Sequence, residues 1–270
     1  MFFGSGGQSV LGEWASFLGT ANGSDLTFLE ENMTQEDFNR VLSQIPSRGI
    51  YWREHLWVYP SIPSIVNASG SGAETLALAQ AAGSATNFGE ARARLNTTNG
   101  AYVGQFFNVY KFYLGSGIVR YEARILCSSI ITNSPRFQFG LTSGTSPAAG
   151  ADQVDGCYIE SDPAVSANWL RVTSKASTRT RNISGTTTGS AVAVTNASHI
   201  FVVEVNADAS SVEFFVDGTS LGVETTNIPL TTTNLSPGYT AYMATYASGN
   251  NTIYADYFET FCLFTTQKTS

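Results

Sequence analysis

The feature that most constrains this chain is a series of short segments, beginning near residue 100, in which apolar and polar residues alternate. This period of two is that of a β-strand with one buried face. In GIVRYEARIL the expected inward residues are Val119, Tyr121, Ala123 and Ile125. Turn residues separate the segments and hardly any helical pattern lies between them, so crossover helices are missing. The sequence therefore predicts an all-β fold, an antiparallel sandwich of two sheets, and excludes parallel βαβ winding.

One of these segments, SVEFFVDGTSLGV, is predicted to be a hairpin. Its dipeptide Asp217-Gly218 is typical of a two-residue turn, because both residue types tolerate the backbone that such a turn requires. The inward positions are then Val212, Phe214 and Val216. Turn geometry is a sufficient reason for the aspartate, so we interpret the hairpin as a corner of the sandwich and not as a catalytic site.

Residues 1–88 have a different pattern from residues 89–270, and we predict a domain boundary between them. The segment TQEDFNRVLSQIP predicts a short α-helix with Thr34 as N-cap and Pro46 as its stop. The segment NASGSGAETLALAQAAGSAT is rich in small side chains and predicts either a linker or a second short helix from Glu74 to Ala82. The chain is thus expected to carry an N-terminal arm and helix ahead of the sandwich.

The N-terminal region also contains many large apolar side chains, both in the expected helix and in the aromatic segment YWREHLWVYP. A short helix must bury its apolar face, and apolar side chains near a chain end favour an interface. We therefore predict that this region docks against a neighbouring subunit. The expected docking residues are Phe38, Leu42, Tyr51, Trp52, Trp57 and Tyr59.

The composition argues against two classes of partner. Charged residues make up 13% of the chain, against roughly 25% in an ordinary soluble domain, and the net charge is -7. Such a chain has no broad attraction for nucleic acid or for an anionic membrane. The first residues lack the pattern of a signal peptide, and no run of about 18 apolar residues is present. We expect neither a nucleic acid nor a membrane as a partner.

Residues 100–264 resemble the concanavalin A-like (laminin-G-like) jelly roll. The resemblance is carried by GIVRYEARI, by DGCYIESDPAVSANWLRVTSKASTRT, by HIFVVEVNADASSVEFFVDGTSLGVETTNIP and by NTIYADYFETF. In that family a long strand precedes a hairpin of the form V-x-F-x-V-D-G, and a last long strand closes the sheet. The same order of segments is similar to lectin-like domains in tailed-phage structural proteins. The motifs specify the fold more than the function, because lectins, hydrolases, adhesion modules and capsid ornaments share it.

The pattern of carboxylates is the main test for an enzyme. A glycoside hydrolase resembling the laminarinase class needs two carboxylates on one strand, in an E-x-D-x-x-E run that this chain lacks. The nearest approach is Glu160 and Asp162 in YIESDP, with Asp155 at the preceding turn. Pro163 is expected to end the strand there, which leaves a polar surface turn. We therefore predict no catalytic residues and no enzyme activity.

Metal and cofactor sites are not expected either. The two histidines, His55 and His199, have no nucleophile elbow or cysteine partner nearby and are interpreted as structural. The three cysteines, Cys127, Cys157 and Cys262, lie far apart in apolar stretches and are predicted to be buried free thiols. Calcium-binding relatives of this fold use loop oxygens, for which the candidates here are Asp152, Asp155, Asp162, Asn168, Asn206 and Asp208. These are too few to supply clearly the six to eight oxygens of a calcium site.

Two further groups are candidates for ligand contacts. Asn168 and Trp169 form the candidate glycan-binding pair, since a lectin places an exposed aromatic ring beside amide donors, although strand aromatics usually belong to the core. The basic residues of RVTSKASTRTR predict either a solvated strand face or a contact for an acidic partner. Those residues are Arg171, Lys175, Arg179 and Arg181.

The resemblance, the missing catalytic run and the aromatic N-terminal region lead to one functional prediction. We expect a non-enzymatic virion structural protein of a tailed phage, either a capsid decoration (cement) protein or a head or tail fibre component, on the particle surface. Its partner would be a capsid or tail protein of the same virion, and it would form a homo-oligomer, for which a trimer is one arrangement. The alternatives are a carbohydrate-binding lectin or receptor-binding module and, after that, a laminarinase-like glycoside hydrolase.

Overall fold

Fifteen β-strands in two antiparallel sheets make up the described part of the structure, which is a computed structural model. The structure describes residues 49–55, 65–69, 73–79, 90–95, 102–107, 112–128, 135–144, 152–243 and 251–264. Side chains are described for most positions from residue 102 onwards within these ranges. No α-helix occurs in these ranges, and accordingly none of their residues form a helix long and apolar enough to cross a membrane.

The fifteen described strands are numbered in chain order. Their bounds are β1 Gly49–His55, β2 Ile65–Ser69, β3 Ala73–Ala79, β4 Glu90–Leu95, β5 Tyr102–Phe107, β6 Gly117–Ser128, β7 Pro135–Thr142, β8 Gly156–Ser161, β9 Leu170–Lys175, β10 Thr178–Ile183, β11 Ser198–Val205, β12 Val212–Val216, β13 Thr219–Glu224, β14 Ser236–Met243 and β15 Asn251–Phe264.

The described strands form an eight-stranded and a seven-stranded sheet. The eight-stranded sheet has the order β13-β12-β11-β6-β15-β4-β3, and β1 also pairs with β15. The seven-stranded sheet has the order β10-β9-β8-β7-β14-β5-β2. Neighbours in both sheets are often distant in sequence, and all pairs are antiparallel, as in a jelly roll. The predicted all-β, two-sheet architecture is therefore confirmed.

The inward faces of the two sheets form one apolar core, and the alternation seen in the sequence identifies it. Val119, Tyr121, Ala123 and Ile125 of β6 are fully buried in this core. So are Phe137, Phe139 and Leu141 of β7 and Val212, Phe214 and Val216 of β12. A bulge between Ala255 and Tyr257 shifts the register of the last strand, β15. Its inward positions therefore change from Ile253 and Ala255 to Thr260, Cys262 and Phe264.

The N-terminal predictions have mixed outcomes. The predicted helix from Thr34 to Pro46 lies outside the described residues. The expected linker, or helix from Glu74 to Ala82, is wrong over Ala73–Ala79, because this range is strand β3 and pairs with β4. Residues 80–82 lie outside the described residues. Small side chains suit a strand lying against a neighbour as well as they suit a helix. The first three strands precede residue 88 but pair with strands that follow it: β1 with β15, β2 with β5 and β3 with β4. The domain boundary at residue 88 stays a prediction.

Two of the three cysteines are described with their side chains, and both are buried free thiols, as predicted. Cys157 lies in the core on β8, and burial raises the pKa of its thiol well above the usual range. Cys262 is buried on β15. The side chain of Cys127 is outside the described residues. Both described thiols are buried and so lack the exposure that a reactive cysteine needs.

Candidate functional site

Among the described side chains, the largest group of charged ones lies on the outer face of the seven-stranded sheet, opposite the core. Alternation along β7, β8 and β10 brings it together, because residues of these strands that face away from the core share that side. We call it the arginine–carboxylate cluster. Its members are Arg136, Asp152, Glu160, Asp162, Arg179 and Arg181.

Glu160 of β8 is the centre of the cluster, and its side chain is completely buried. Its Oε1 atom accepts hydrogen bonds from Nε and Nη2 of Arg136, at 2.8 and 2.6 Å. The same oxygen accepts a hydrogen bond from Nη2 of Arg181 at 2.6 Å. Two guanidinium groups thus hold one carboxylate oxygen, and neither arginine side chain is more than 16% exposed.

The other two carboxylates extend the cluster outwards. Asp162 Oδ2 accepts from Arg181 and lies 3.2 Å from Nε of Arg136. Its Oδ1 accepts from the backbone N–H of Ala164 at 3.1 Å, which closes the turn after β8. Asp152 Oδ1 accepts from Arg136 at 2.9 Å and also from Arg179. Three arginines therefore face three carboxylates, and the formal charges of these six side chains cancel.

The protonation of the cluster follows from its burial. Burial raises the pKa of Glu160, and the positive charges of Arg136 and Arg181 oppose that shift. Burial alone would lower the pKa of Arg136, but the charges and hydrogen bonds of Glu160 and Asp152 outweigh it and raise that pKa further above its ordinary value. Arg136 therefore stays protonated at any ordinary pH and supplies a fixed positive charge to Glu160.

This geometry corrects the prediction of a surface turn at YIESDP. The strand does end at Ser161, before Pro163, as expected. Glu160, however, is buried, because arginines from β7 and β10 cover it. The carboxylates of Glu160 and Asp162 both bind the guanidinium groups of Arg136 and Arg181. Neither carboxylate is therefore free to attack a substrate in this arrangement. Sequence reasoning missed Arg136, whose only signal was its place as a polar residue of RFQFGL.

The predicted basic stretch divides between the two faces of the sheet. Arg171 pairs in register with Ile159, faces the core and is fully buried. Its guanidinium binds Glu224 of the other sheet and donates to the carbonyl oxygen of Thr188 at 2.9 Å. The prediction of one solvated basic face is therefore wrong, because period-two alternation sends Arg171 inward and Arg179 and Arg181 outward.

The ring of Trp169 is part of the core, so it offers no face to a sugar. It is fully buried and packs edge-on against Phe139 and Phe201, with ring centroids 6.0 and 4.9 Å apart. The predicted glycan contact through this ring therefore does not fit the structure, for the ordinary reason that large aromatic side chains fill cores. Glycan binding by Asn168, which is half-buried beside it, stays a prediction.

The second charged site lies at the hairpin between β12 and β13. Asp217 and Gly218 have φ angles of 51° and 76°, which confirms the predicted turn. The carboxylate of Asp217 does more than the turn requires, because its Oδ2 lies 2.6 Å from Nδ1 of His199. The other ring nitrogen of His199, Nε2, lies 2.8 Å from Oγ1 of Thr195. Sequence reasoning missed this contact because His199 and Asp217 are 18 positions apart and come together only in the folded chain.

Four of the six predicted docking residues lie outside the described residues, namely Phe38, Leu42, Trp57 and Tyr59. Tyr51 and Trp52 belong to strand β1, where they pair with Phe261 and Thr260 of β15. Among the described strands, β1 hydrogen-bonds with β15 alone, and it lies at an edge of the eight-stranded sheet. The interface role of these residues stays a prediction.

Five of the six side chains considered for calcium have other contacts through their oxygens. Asp152 and Asp162 bind arginines, and Asp155 accepts from the backbone N–H of Ala176 at 2.9 Å. Asp208 accepts in the same way from the N–H of Ser210 at 3.0 Å. Within the described ranges, no three of the histidine, cysteine, aspartate and glutamate side chains are placed to hold a metal ion.

Comparisons with known proteins identify the fold of this chain but assign it to no family. The chain matches no protein-family model and no curated protein sequence. Its structure is similar to that of a protein of unknown function, SO2946, from Shewanella oneidensis MR-1. The two share 15% sequence identity with a TM-score of 0.59, over 88% of this chain and 98% of that one.

Two other similar structures have names that describe an activity. The carbohydrate recognition domain of Emp47p has a TM-score of 0.54 at 9% identity, over 80% of this chain and 95% of that domain. A prokaryotic β-1,3-1,4-glucanase (lichenase) derived from a mouse hindgut metagenome has a TM-score of 0.51 at 14% identity, over 78% and 98%. This chain thus has the concanavalin A-like jelly roll that lectin domains and glucanases share, and at such identities the similarity shows the fold alone.

Proposed function

We propose that this chain is a lectin-like structural module of a tailed-phage particle, without glycoside hydrolase activity. In this role it decorates the capsid or forms part of a head or tail fibre, and its N-terminal region attaches it to a capsid or tail protein of the same virion. The observation that carries the non-hydrolytic half of the proposal is the arginine–carboxylate cluster.

The cluster argues against hydrolysis on physical grounds. A retaining glycosidase needs two carboxyl groups about 5 Å apart, one ionised and open to the sugar and one protonated to act as the acid. Here Glu160 is buried, and Arg136 and Arg181 bind both it and Asp162. A sugar could reach Glu160 only after these arginines moved away and left a buried charge without partners, which is costly.

The attachment half of the proposal is supported by the position of β1. This strand contains Tyr51 and Trp52, and its only hydrogen-bonding neighbour among the described strands is β15. A strand at a sheet edge can accept a further strand from a partner through its free backbone groups. An attachment site that includes β1 would also connect the N-terminal residues before it to the sandwich.

The direct test uses the full chain and isolated particles from its source. Light scattering and negative-stain imaging would give the mass and symmetry of the protein alone, and cosedimentation would measure its binding to particles. We expect an oligomer that binds particles saturably and at regular spacing. A variant that lacks residues 1–48 should keep the sandwich, including β1, and lose attachment.

Two results would contradict the proposal. Wild-type protein that does not cosediment with particles from its source would rule out the virion role. A truncated protein that still binds would show that residues 1–48 are not needed for attachment, while leaving the virion role in place.

The second candidate is a carbohydrate-binding module, which is favoured by the fold similarity to the recognition domain of Emp47p. A glycan array, probed with and without calcium, distinguishes the two functions. Selective binding to one glycan by protein that ignores particles would favour the lectin. Binding to both would favour a receptor-binding module on the particle.

A further inference from the structure

Three side chains at one end of the sandwich form a continuous hydrogen-bonded series of hydroxyl, imidazole and carboxylate. Thr195 Oγ1 lies 2.8 Å from Nε2 of His199, and Nδ1 of His199 lies 2.6 Å from Oδ2 of Asp217. This is the order and spacing of nucleophile, base and orienting acid in acyl-transfer triads. The three residues come from the loop before β11, from β11 itself and from the β12–β13 turn, so only the folded chain assembles them.

The direction of the hydrogen bonds follows from the chemistry of the groups. The carboxylate of Asp217 can only accept, so Nδ1 of a neutral His199 carries the proton that it receives. Nε2 is then the acceptor of the imidazole and is free to take the proton of the Thr195 hydroxyl. The second carboxylate oxygen, Oδ1 of Asp217, accepts from the backbone N–H of Ile200 at 2.8 Å, which fixes the carboxylate against β11.

Packing holds the imidazole in this position. His199 is 7% exposed, and its ring meets those of Trp169 and Phe201 at an angle, with centroids 5.8 and 5.9 Å apart. Thr195, in contrast, is exposed, and the Asp217 side chain is half exposed. The residue that carries the hydroxyl is therefore exposed to solution, while the base behind it is held in place and largely shielded from water.

We propose that Thr195 is a nucleophile for acyl transfer from an ester, with His199 as general base and Asp217 as the positioning residue. In the first step Oγ1 attacks the ester carbonyl and its proton passes to Nε2 of His199. The new bond joins Oγ1 to the acyl carbon, the bond to the alcohol oxygen breaks, and Nε2 returns the proton to the departing alkoxide.

In the second step a water molecule attacks the acyl carbon of the Thr195 ester and gives its proton to Nε2. The bond between the acyl carbon and Oγ1 breaks, Oγ1 takes that proton, and a carboxylic acid leaves. The reaction consumes one ester and one water and gives one acid and one alcohol. This activity goes beyond the proposed structural role and does not depend on it, because none of these three residues belongs to the arginine–carboxylate cluster.

The test measures acylation of the full-length protein by p-nitrophenyl acetate. Release of p-nitrophenolate gives the rate, and peptide mapping by mass spectrometry gives the acylated residue. The variants are Thr195→Val, Thr195→Ser, His199→Gln and Asp217→Asn, with Thr225→Val as a matched control on another exposed threonine.

We expect wild-type protein and Thr195→Ser to carry one acetyl group at residue 195, and Thr225→Val to behave like wild type. Thr195→Val should carry none, and His199→Gln and Asp217→Asn should react at least about 100-fold more slowly, the lower end of general-base catalysis. Thr195→Ser and Thr195→Val change an exposed side chain, so they keep the test valid if His199→Gln does not fold.

Three outcomes would overturn the proposal. The first is wild-type protein that releases p-nitrophenolate no faster than buffer. The second is acetylation of Thr195→Val at the same rate as wild-type protein. The third is labelling of Thr195 that is unchanged in folded His199→Gln and Asp217→Asn, which would leave the three residues as a structural contact between the hairpin and β11.

Discussion

The two acidic stretches that flank turns, YIESDP and the VDG hairpin, look alike in sequence but have opposite surroundings in the structure. In the first, Glu160 is buried and its charge is met by two arginines. In the second, the Asp217 side chain is half exposed and binds a histidine and a backbone N–H. The position of an acidic residue beside a turn therefore does not predict its role, because the role depends on its neighbours on adjacent strands.

The difference lies in the neighbouring strands rather than in the stretches themselves. β8 has β7 and β9 on its two sides, with β10 one strand further, so arginines on β7 and β10 can close over Glu160. The β12–β13 turn lies at the end of the sheet, next to the start of β11. Central strands thus bury a carboxylate with its counter-ions, and the sheet end leaves one partly open to solvent. The predictions below test this contrast.

Removing a counter-ion of the buried carboxylate should have the largest effect. Arg136→Ala leaves Glu160 with one fewer arginine, and breaking a buried ion pair costs about 3–5 kcal/mol. Urea unfolding would measure the loss. Arg124→Ala is the matched control, because its ion pair with Asp256 spans 3.4 Å with an arginine that is 52% exposed. Such surface pairs contribute about 0–1 kcal/mol, so equal losses in the two variants would contradict the contrast.

The pH dependence of stability should report the burial of Glu160. Because burial raises the pKa of this carboxyl, the folded state binds its proton more tightly than the unfolded state does. Above the ordinary glutamate pKa of about 4.3, stability should then fall as pH rises, until the raised pKa is passed.

Glu160→Gln carries no proton that titrates and is the reference for this measurement. The difference in unfolding free energy, wild type minus variant, should decrease with pH by at most about 1.4 kcal/mol per pH unit. A difference that increases with pH over this range would show that the arginines outweigh burial and lower the pKa.

At the hairpin, Asp217→Asn should destabilise the fold by about 1 kcal/mol, since one hydrogen bond of ordinary strength to His199 is weakened while the turn tolerates asparagine. Asp208→Asn is the matched control, because Asp208 also accepts from a backbone N–H but, among the described residues, does not bind a histidine. Thermal unfolding of both variants would compare them. A cost above about 3 kcal/mol would place Asp217 with the buried carboxylates rather than apart from them.

The smallest expected effect on stability is that of Thr195→Val, at about 0.5 kcal/mol or less, because the residue is exposed. The same substitution should abolish acylation, as described above. Unfolding in urea checks the first statement. A large loss of stability would indicate that the hydroxyl mainly fastens the loop before β11 to His199.

The sequence predicted the sandwich well because alternation is a local property. Val119 to Ile125 and Val212 to Val216 are buried as their pattern requires, and Asp217-Gly218 makes the expected turn. The strand Ala73–Ala79 was missed for the same reason, since small residues carry no clear period of two. Local pattern therefore identified the core strands better than the weakly patterned one.

The candidate sites were harder to predict because each depends on strands that are distant in sequence. Arg136 reaches Glu160 across 24 positions, and Arg171 reaches Glu224 across 53. Trp169 was a candidate glycan contact beside Asn168, but its ring packs in the core against Phe139 of β7 and Phe201 of β11. None of these contacts follows from spacing along the chain, because register and sheet order decide which side chains meet.

The central claim is that the carboxylates of Glu160 and Asp162 serve the structure of the sandwich and do not hydrolyse glycosides. The most direct test is release of reducing ends from β-1,3-1,4-glucan by wild-type protein and by Glu160→Gln at matched concentration. We predict no release above the buffer control with either protein. Turnover by the wild type that is lost in folded Glu160→Gln would contradict the claim and identify Glu160 as a catalytic residue.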